Sequence, residues 1–316
     1  MKHDLRIVFM GTPDFAVGVL KKMVEAGENI VGVITAPDKP AGRGRKLMTS
    51  AVKDYAVSKN LNVLQPTNLK DASFLDGLTQ LNANLQVVVA FRMLPKAVWQ
   101  MPELGTFNLH ASLLPQYRGA APINWAIINR EEKSGVTTFF IDEKIDTGRI
   151  IAKKEVVIEA RETAETLHDK LMLEGSALVM DTLSLIREGK VNPLPQTDNA
   201  DLKEAPKLTA ENTRINWAEK GDTIDAFIRG LSPYPVAWTI LYNNKEELKV
   251  KIYTSSFEKV EHSHSPGTII LSKKELKVAC LDGYMVLGEI QLPGKRKMDV
   301  PALLNGYSFD PDSKLL

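Results

Sequence analysis

Between residues 5 and 187 short apolar runs alternate with amphipathic segments, and this alternation restricts the fold more than any other feature. Residues 5–10, 30–34, 62–64, 85–91, 106–109 and 136–141 have the length and β-branched content of buried strands. Between the first two, Phe15 to Val24 places apolar residues at helical spacing, with Pro13 to start the helix and Gly27 to stop it. Ser50 is placed to cap a helix reaching Lys59, and Asp71 to open another through Leu81. A longer helix over residues 163–187 carries Leu167, Leu171, Leu178, Leu183 and Ile186. Strand and helix in turn predict an α/β domain, a Rossmann-like and mostly parallel sheet with helices on both faces.

After residue 188 the pattern changes. Gly189, Pro193, Pro195 and Pro206 are spread among polar residues, which reads as a linker over 190–208 that ends a first domain at 189. Residues 209–316 hold one helix candidate at 223–231, then short alternating segments at 238–241, 249–253, 267–271, 277–280 and 285–289. Five short strands separated by turns predict a small C-terminal β-barrel of the OB-like kind.

Charge excludes some functions. The 316 residues carry 40 Lys and Arg against 39 Asp and Glu, so any nucleic-acid contact must use local patches. The single cysteine, Cys280, can form no internal disulfide and no Cys-rich metal site, and its apolar neighbours place it in a core. No metal-ligand set is readable. No segment approaches the roughly 20 apolar residues of a membrane span, and the first apolar run is too short for a signal peptide, so the chain reads as cytoplasmic.

The densest chemistry lies at Phe107-Asn108-Leu109-His110-Ala111-Ser112-Leu113-Leu114-Pro115-Gln116-Tyr117-Arg118-Gly119, followed downstream by Asp146-Thr147-Gly148. Two residues apart on a strand, Asn108 and His110 share a face. An amide donor and an imidazole side by side suit a carbonyl oxygen that becomes tetrahedral, and a carboxylate from a distant turn would orient the imidazole. Singly, each residue is more readily a turn former or a satisfied histidine. Together and in this order they resemble the signature of the folate-dependent formyltransferases.

That resemblance implies Asn108, His110 and Asp146 as catalytic residues and 10-formyltetrahydrofolate as co-substrate, with no metal. It places folate against Ser112, Leu113, Leu114 and Pro115 and against Phe91, Arg92 and Leu94. The turn Ala90-Phe91-Arg92-Met93-Leu94-Pro95 is one residue shorter than is usual in the family and lacks its glycine. Ile145 stands where the family has leucine.

The resemblance runs nearly the length of the chain, through Gly11 to Ala16, Thr35 to Leu47, Ile215-Asn216-Trp217, Pro233 to Trp238 and Leu292 to Met298. It is strongest to the members that formylate the α-amino group of initiator methionyl-tRNA. The 35–47 loop carries Lys39, Arg43, Arg45 and Lys46 against Asp38 alone. By resemblance Arg43, Arg45 and Lys46 meet the RNA, and the 209–316 domain, with 14 Lys and Arg against 14 Asp and Glu, binds it through one face that includes Lys295, Arg296 and Lys297. The chain is expected to be a monomer. The alternative is a family member that formylates amino sugars, which shares the trio and has no need of the basic loop. Members acting on a ribonucleotide amine use a glycine-rich phosphate loop where Pro13 stands here, and a dinucleotide oxidoreductase would need a G-x-G-x-x-G turn at the same place. A hydrolase would use water as acceptor, and a tRNA-binding module would not need the trio.

Overall fold

Ile7–Gly11 is buried at all five positions, as a strand must be when other strands flank it and helices cover both faces. In the structure, a computed structural model that describes residues 3–41, 46–197 and 201–316, this strand pairs parallel with Ile30–Ile34 on one side and Leu85–Val89 on the other. Leu85–Val89 pairs parallel with Thr106–His110, and Ile30–Ile34 with Val63–Leu64. Lys133–Phe140 then runs antiparallel to Thr106–His110, and Ile150–Val157 completes a sheet of seven strands.

The helices follow their patterns. Asp14–Glu25 buries Phe15, Ala16, Val19, Leu20 and Met23 and turns Lys21 and Glu25 to solvent. The Ser50 hydroxyl accepts from Lys53 N at 3.1 Å and so caps Ala51–Ser58. Asp71 precedes Ala72–Gln80 without capping it; its carboxylate instead accepts from the Asn68 amide at 2.9 Å. Ala164–Arg187 buries the five apolar residues that mark it in the sequence. Among the described residues, no helix is long and apolar enough to cross a membrane.

The structure differs from these expectations in three places. The strand at 85 ends at Val89 because Ala90 takes φ +47°, a left-handed conformation that no strand can continue. Ile150–Val157 carries Lys153, Lys154 and Glu155 at a sheet edge, where solvent rather than a core sets the pattern, so no apolar run betrays it. Lys39–Ala41 and Lys46–Met48 form an antiparallel hairpin in what reads as loop, with Leu47 and Met48 exposed.

Two units divide the chain: Met1–Gly119, Ser134–Val157 and His168–Glu204 form one, and Ala120–Lys133, Ile158–Leu167 and Ala205–Leu316 the other. The second contains two antiparallel sheets. Ala237–Asn243, Glu246–Ile252, Glu289–Gln291, Met298–Asp299 and Lys314–Leu315 build one; Ser255–Lys259, Ile269–Leu271, Leu276–Cys280 and Gly283–Leu287 build the other. Strict alternation along Ala237–Asn243 sends every second side chain inward. Leu241, Val250 and Ile252 from one sheet meet Val278, Met285 and Leu287 from the other, with Ile224, Ile228 and Leu231 of the Gly221–Leu231 helix in the same core. Cys280 is buried here, and burial pushes its thiol pKa up, away from the reactive thiolate.

Trp217 joins this core through its ring and donates Nε1–H to the Thr239 hydroxyl at 3.0 Å, which itself donates to Leu316 O at 2.7 Å. Trp217→Ala removes the ring and leaves the Thr239 hydroxyl short of a donor. An expected loss of about 3–5 kcal/mol follows from the cavity, measurable by chemical denaturation. A loss below about 1 kcal/mol would show that the ring is not core.

Candidate active site

Asn108 and His110 project from the strand Thr106–His110, where the sheet passes from parallel to antiparallel pairing. Asn108 sits in register with Val88 and Phe139, and His110 with Thr137. The Asn108 side-chain Oδ1 is buried with no hydrogen-bond partner among the described residues.

His110 is 6% exposed. Its Nε2 lies 2.8 Å from Tyr117 O, and since a carbonyl oxygen only accepts, Nε2 carries a proton. Nδ1 faces Asp146 Oδ2 at 3.8 Å. With Nε2 already a donor, a neutral ring would turn a lone pair toward a carboxylate. A proton on Nδ1 would point toward the carboxylate. The same Asp146 oxygen accepts from Gly119 N at 3.0 Å.

Backbone geometry puts both partners in place. Tyr117, at φ +60° and buried, donates its N–H to Lys203 O at 2.7 Å and turns its carbonyl onto the imidazole. Asp146 is also left-handed, at φ +55°. The Asp142 carboxylate braces that turn by accepting from Thr147 Oγ1 at 2.8 Å and Lys144 N at 3.0 Å. A Cβ on Gly148 would come within 1.6 Å of Phe140 O, so only glycine lets the turn close. Ile145 is 59% exposed, so exchange of leucine for isoleucine there disturbs no packing.

The segment expected against folate is pinned from below. Thr137, opposite His110, donates to Ser112 O at 2.7 Å and accepts from Leu114 N at 3.2 Å. The Ser112 hydroxyl donates to Gln116 O at 2.6 Å, and Lys153 Nζ donates to Leu114 O. Leu114–Pro115 is a cis peptide. Leu114 is buried with Phe139 and Ile150, and Leu94 with Val88 and Val98. Leu113 and Pro115 are half-buried, as is Phe91. Arg92 donates to Thr67 O at 2.9 Å and to Pro66 O, with its guanidinium 5.7 Å from the Phe91 ring centre. Because Leu85–Val89 and Thr106–His110 run parallel, the turns that follow them leave from the same end of the sheet. The 91–95 and 112–115 segments are therefore neighbours, though Ser112, Leu114 and Leu94 spend their side chains on the interior.

The RNA positions fare differently. Arg43 and Arg45 lie outside the described residues, as does the side chain of Lys46. Asp38, the loop's one carboxylate, accepts from Gln65 Nε2 at 2.8 Å and pairs with Lys53; the Gln65 amide and then Lys53 hold its carboxyl below the usual range. Lys295 and Arg296 are exposed on a turn. Lys297 pairs with Glu289 at 3.0 Å and lies 5.2 Å from the Tyr253 ring centre. The carbonyl of Tyr117, Thr137 and the side chain of Gln196 belong to the site without any sequence signal to announce them.

The Formyl transferase family model matches residues 5–183 and the Formyl transferase C-terminal domain model residues 207–308. The chain belongs to the formyl transferase family. Full-length relatives in this family include the methionyl-tRNA formyltransferase of Flavobacterium johnsoniae, 58% identical over 99% of each chain, and that of Bacteroides thetaiotaomicron, 50% identical over 99% of each. WlaRD, a sugar 3N-formyl transferase solved with dTDP and 5-N-formyl-THF, matches at TM-score 0.65 over 93% of this chain and 100% of its own. At 21% identity that likeness shows the shared formyl transferase fold, a largely parallel sheet followed by an antiparallel β region.

The hydrogen bond to Tyr117 O has a direct check. Nitrogen-15 NMR of the His110 ring is expected to find Nε2 protonated in every ionisation state the folded protein samples. An unprotonated Nε2 at any pH would remove the bond.

Proposed function

We propose that this chain moves the formyl group of 10-formyltetrahydrofolate onto the α-amino group of initiator methionyl-tRNA. It would act as a cytoplasmic monomer, with a catalytic domain over 1–189, a linker over 190–208 and an RNA-binding domain over 209–316. The observation that carries this reading is the His110 ring held between Tyr117 O and Asp146 beside Asn108. The acceptor follows from full-length relatives at 50–58% identity that are methionyl-tRNA formyltransferases.

An α-amino group titrates near 8, so a useful fraction is already neutral at pH 7 and positioning supplies much of the acceleration. Its nitrogen attacks the formyl carbon. The Asn108 amide and the His110 imidazolium donate to the oxygen that takes up negative charge. Asp146 offsets the imidazolium charge and is the carboxylate placed to take the proton the amine sheds. As the intermediate collapses, the bond from carbon to the folate nitrogen breaks and that nitrogen receives the proton. The half-buried edges of Phe91, Leu113 and Pro115, with the backbone of 112–115, fit a flat heteroaromatic ring. Arg43, Arg45 and Lys46 would meet acceptor-stem phosphates, and Lys295, Arg296 and Lys297 would also meet the RNA.

Purified protein with formyl-folate is expected to formylate charged initiator tRNA and to leave charged elongator tRNA and amino sugars almost untouched. Formylation of an amino sugar alone would overturn the acceptor. In the same assay Asn108→Ala, His110→Ala and Asp146→Asn should each lower kcat by roughly 10²-fold or more while the fold is kept. Near-normal turnover in any one removes that residue from the chemistry.

Neutralising Arg43, Arg45 and Lys46 together should raise KM for methionyl-tRNA and flatten the salt dependence of binding, with folate affinity unchanged. An unaltered KM and salt slope would make the loop a mere connection.

A further inference from the structure

Gln196 falls in the Pro-rich stretch that reads as a linker, yet its side-chain amide bonds only the turn that carries Asp146 and the turn whose Tyr117 carbonyl holds His110. Its Nε2 donates to Asp146 O at 2.8 Å and to Gly148 O at 2.8 Å. Its Oε1 accepts from Arg118 Nε at 3.1 Å and from Arg118 Nη2 at 2.7 Å. Two carbonyls can face only the amide nitrogen and a guanidinium only the amide oxygen, so its orientation is fixed by chemistry.

The positions it joins are those on which the His110 and Asp146 geometry depends. Arg118 lies between Tyr117, whose carbonyl holds His110 Nε2, and Gly119, whose N–H donates to Asp146 Oδ2. Asp146 and Gly148 bound the opposing turn. Main-chain bonds between Leu194 and Ile150, 2.8 Å in each direction, place Gln196 across from Gly148 in antiparallel register. Both arms of the 3.8 Å approach between His110 Nδ1 and Asp146 Oδ2 thus meet in one side-chain amide.

We infer that Gln196 is a positioning residue for formyl transfer, clamping the 117–119 and 146–148 turns so that the Asp146 carboxylate stays against the His110 imidazolium. Gln196 touches no reacting atom and acts through Asp146. The inference rests on the formyl transfer proposed above. Leu and Met at this position would free both arms. Glu would keep the acceptor for Arg118 while turning an anion toward two carbonyl oxygens.

The test compares Gln196→Glu and Gln196→Met in the full-length enzyme, each alone and combined with Asp146→Asn. Each single variant is expected to lower kcat by about tenfold, because the turns stay in place but no longer hold Asp146 firmly against His110. KM for folate and for methionyl-tRNA should change by less than about twofold, because nothing in either binding segment is removed. In the Asp146→Asn background the same substitutions should cost almost nothing further, since the group they position is already lost. Unchanged kcat in both variants would overturn the inference. So would a loss confined to KM, or one that adds in full to that of Asp146→Asn. The nitrogen-15 shifts of the His110 ring, read without substrate, should move in the Gln196 variants in the direction seen for Asp146→Asn. Unmoved shifts overturn the positioning, whereas wild-type protein inert toward methionyl-tRNA would sink only the acceptor assignment.

Discussion

The hydrogen bond from His110 Nε2–H to Tyr117 O decides what the rest of the site can do. It commits one ring nitrogen as donor and turns the other toward Asp146. For the bond to exist, the chain leaving Thr106–His110 must double back within seven residues. The left-handed Tyr117 and the bonds from Thr137 and Lys153 shape that return. Thr137 is available because Lys133–Phe140 pairs antiparallel to Thr106–His110 and sets it opposite His110. Sheet topology thus reaches the chemistry through one threonine and one carbonyl.

Asp146 arrives by an equally constrained route. A left-handed aspartate followed by a glycine that cannot carry a Cβ gives the turn essentially one conformation. The site is held largely by backbone groups and by polar side chains that bond backbone. Such a site is preorganised before substrate arrives, which suits a reaction whose acceleration comes from placement and from donors aimed at a developing charge.

Much of the first domain is legible in the sequence because a central parallel strand must be apolar throughout. Ile7–Gly11 and Ile30–Ile34 announce themselves in this way, and Ser50 marks its helix by a cap. Ile150–Val157 is silent because an edge strand tolerates lysine and glutamate. The sharing of a face by Asn108 and His110 follows from strand periodicity alone. That Asp146 completes them comes from family resemblance, since a contact across 36 positions leaves no periodic trace. Tyr117 acts through its carbonyl, which every residue possesses, and Gln196 sits among prolines that read as linker; neither has a residue-type signature to find. The C-terminal region shows its alternating strands and hides the shortest ones, Met298–Asp299 and Lys314–Leu315, which are too brief to establish a period.

A crystal structure with a stable 10-formyl analogue of tetrahydrofolate measures the arrangement of donors most directly. The formyl oxygen is expected within hydrogen-bond reach, about 3 Å, of Asn108 Nδ2 and of the His110 ring nitrogen that faces Asp146, with the pterin against residues 112–115 and the turn at 91–95. A pterin seated beside Gly11 to Phe15, with nothing next to Pro115 and the formyl oxygen away from both donors, would contradict it.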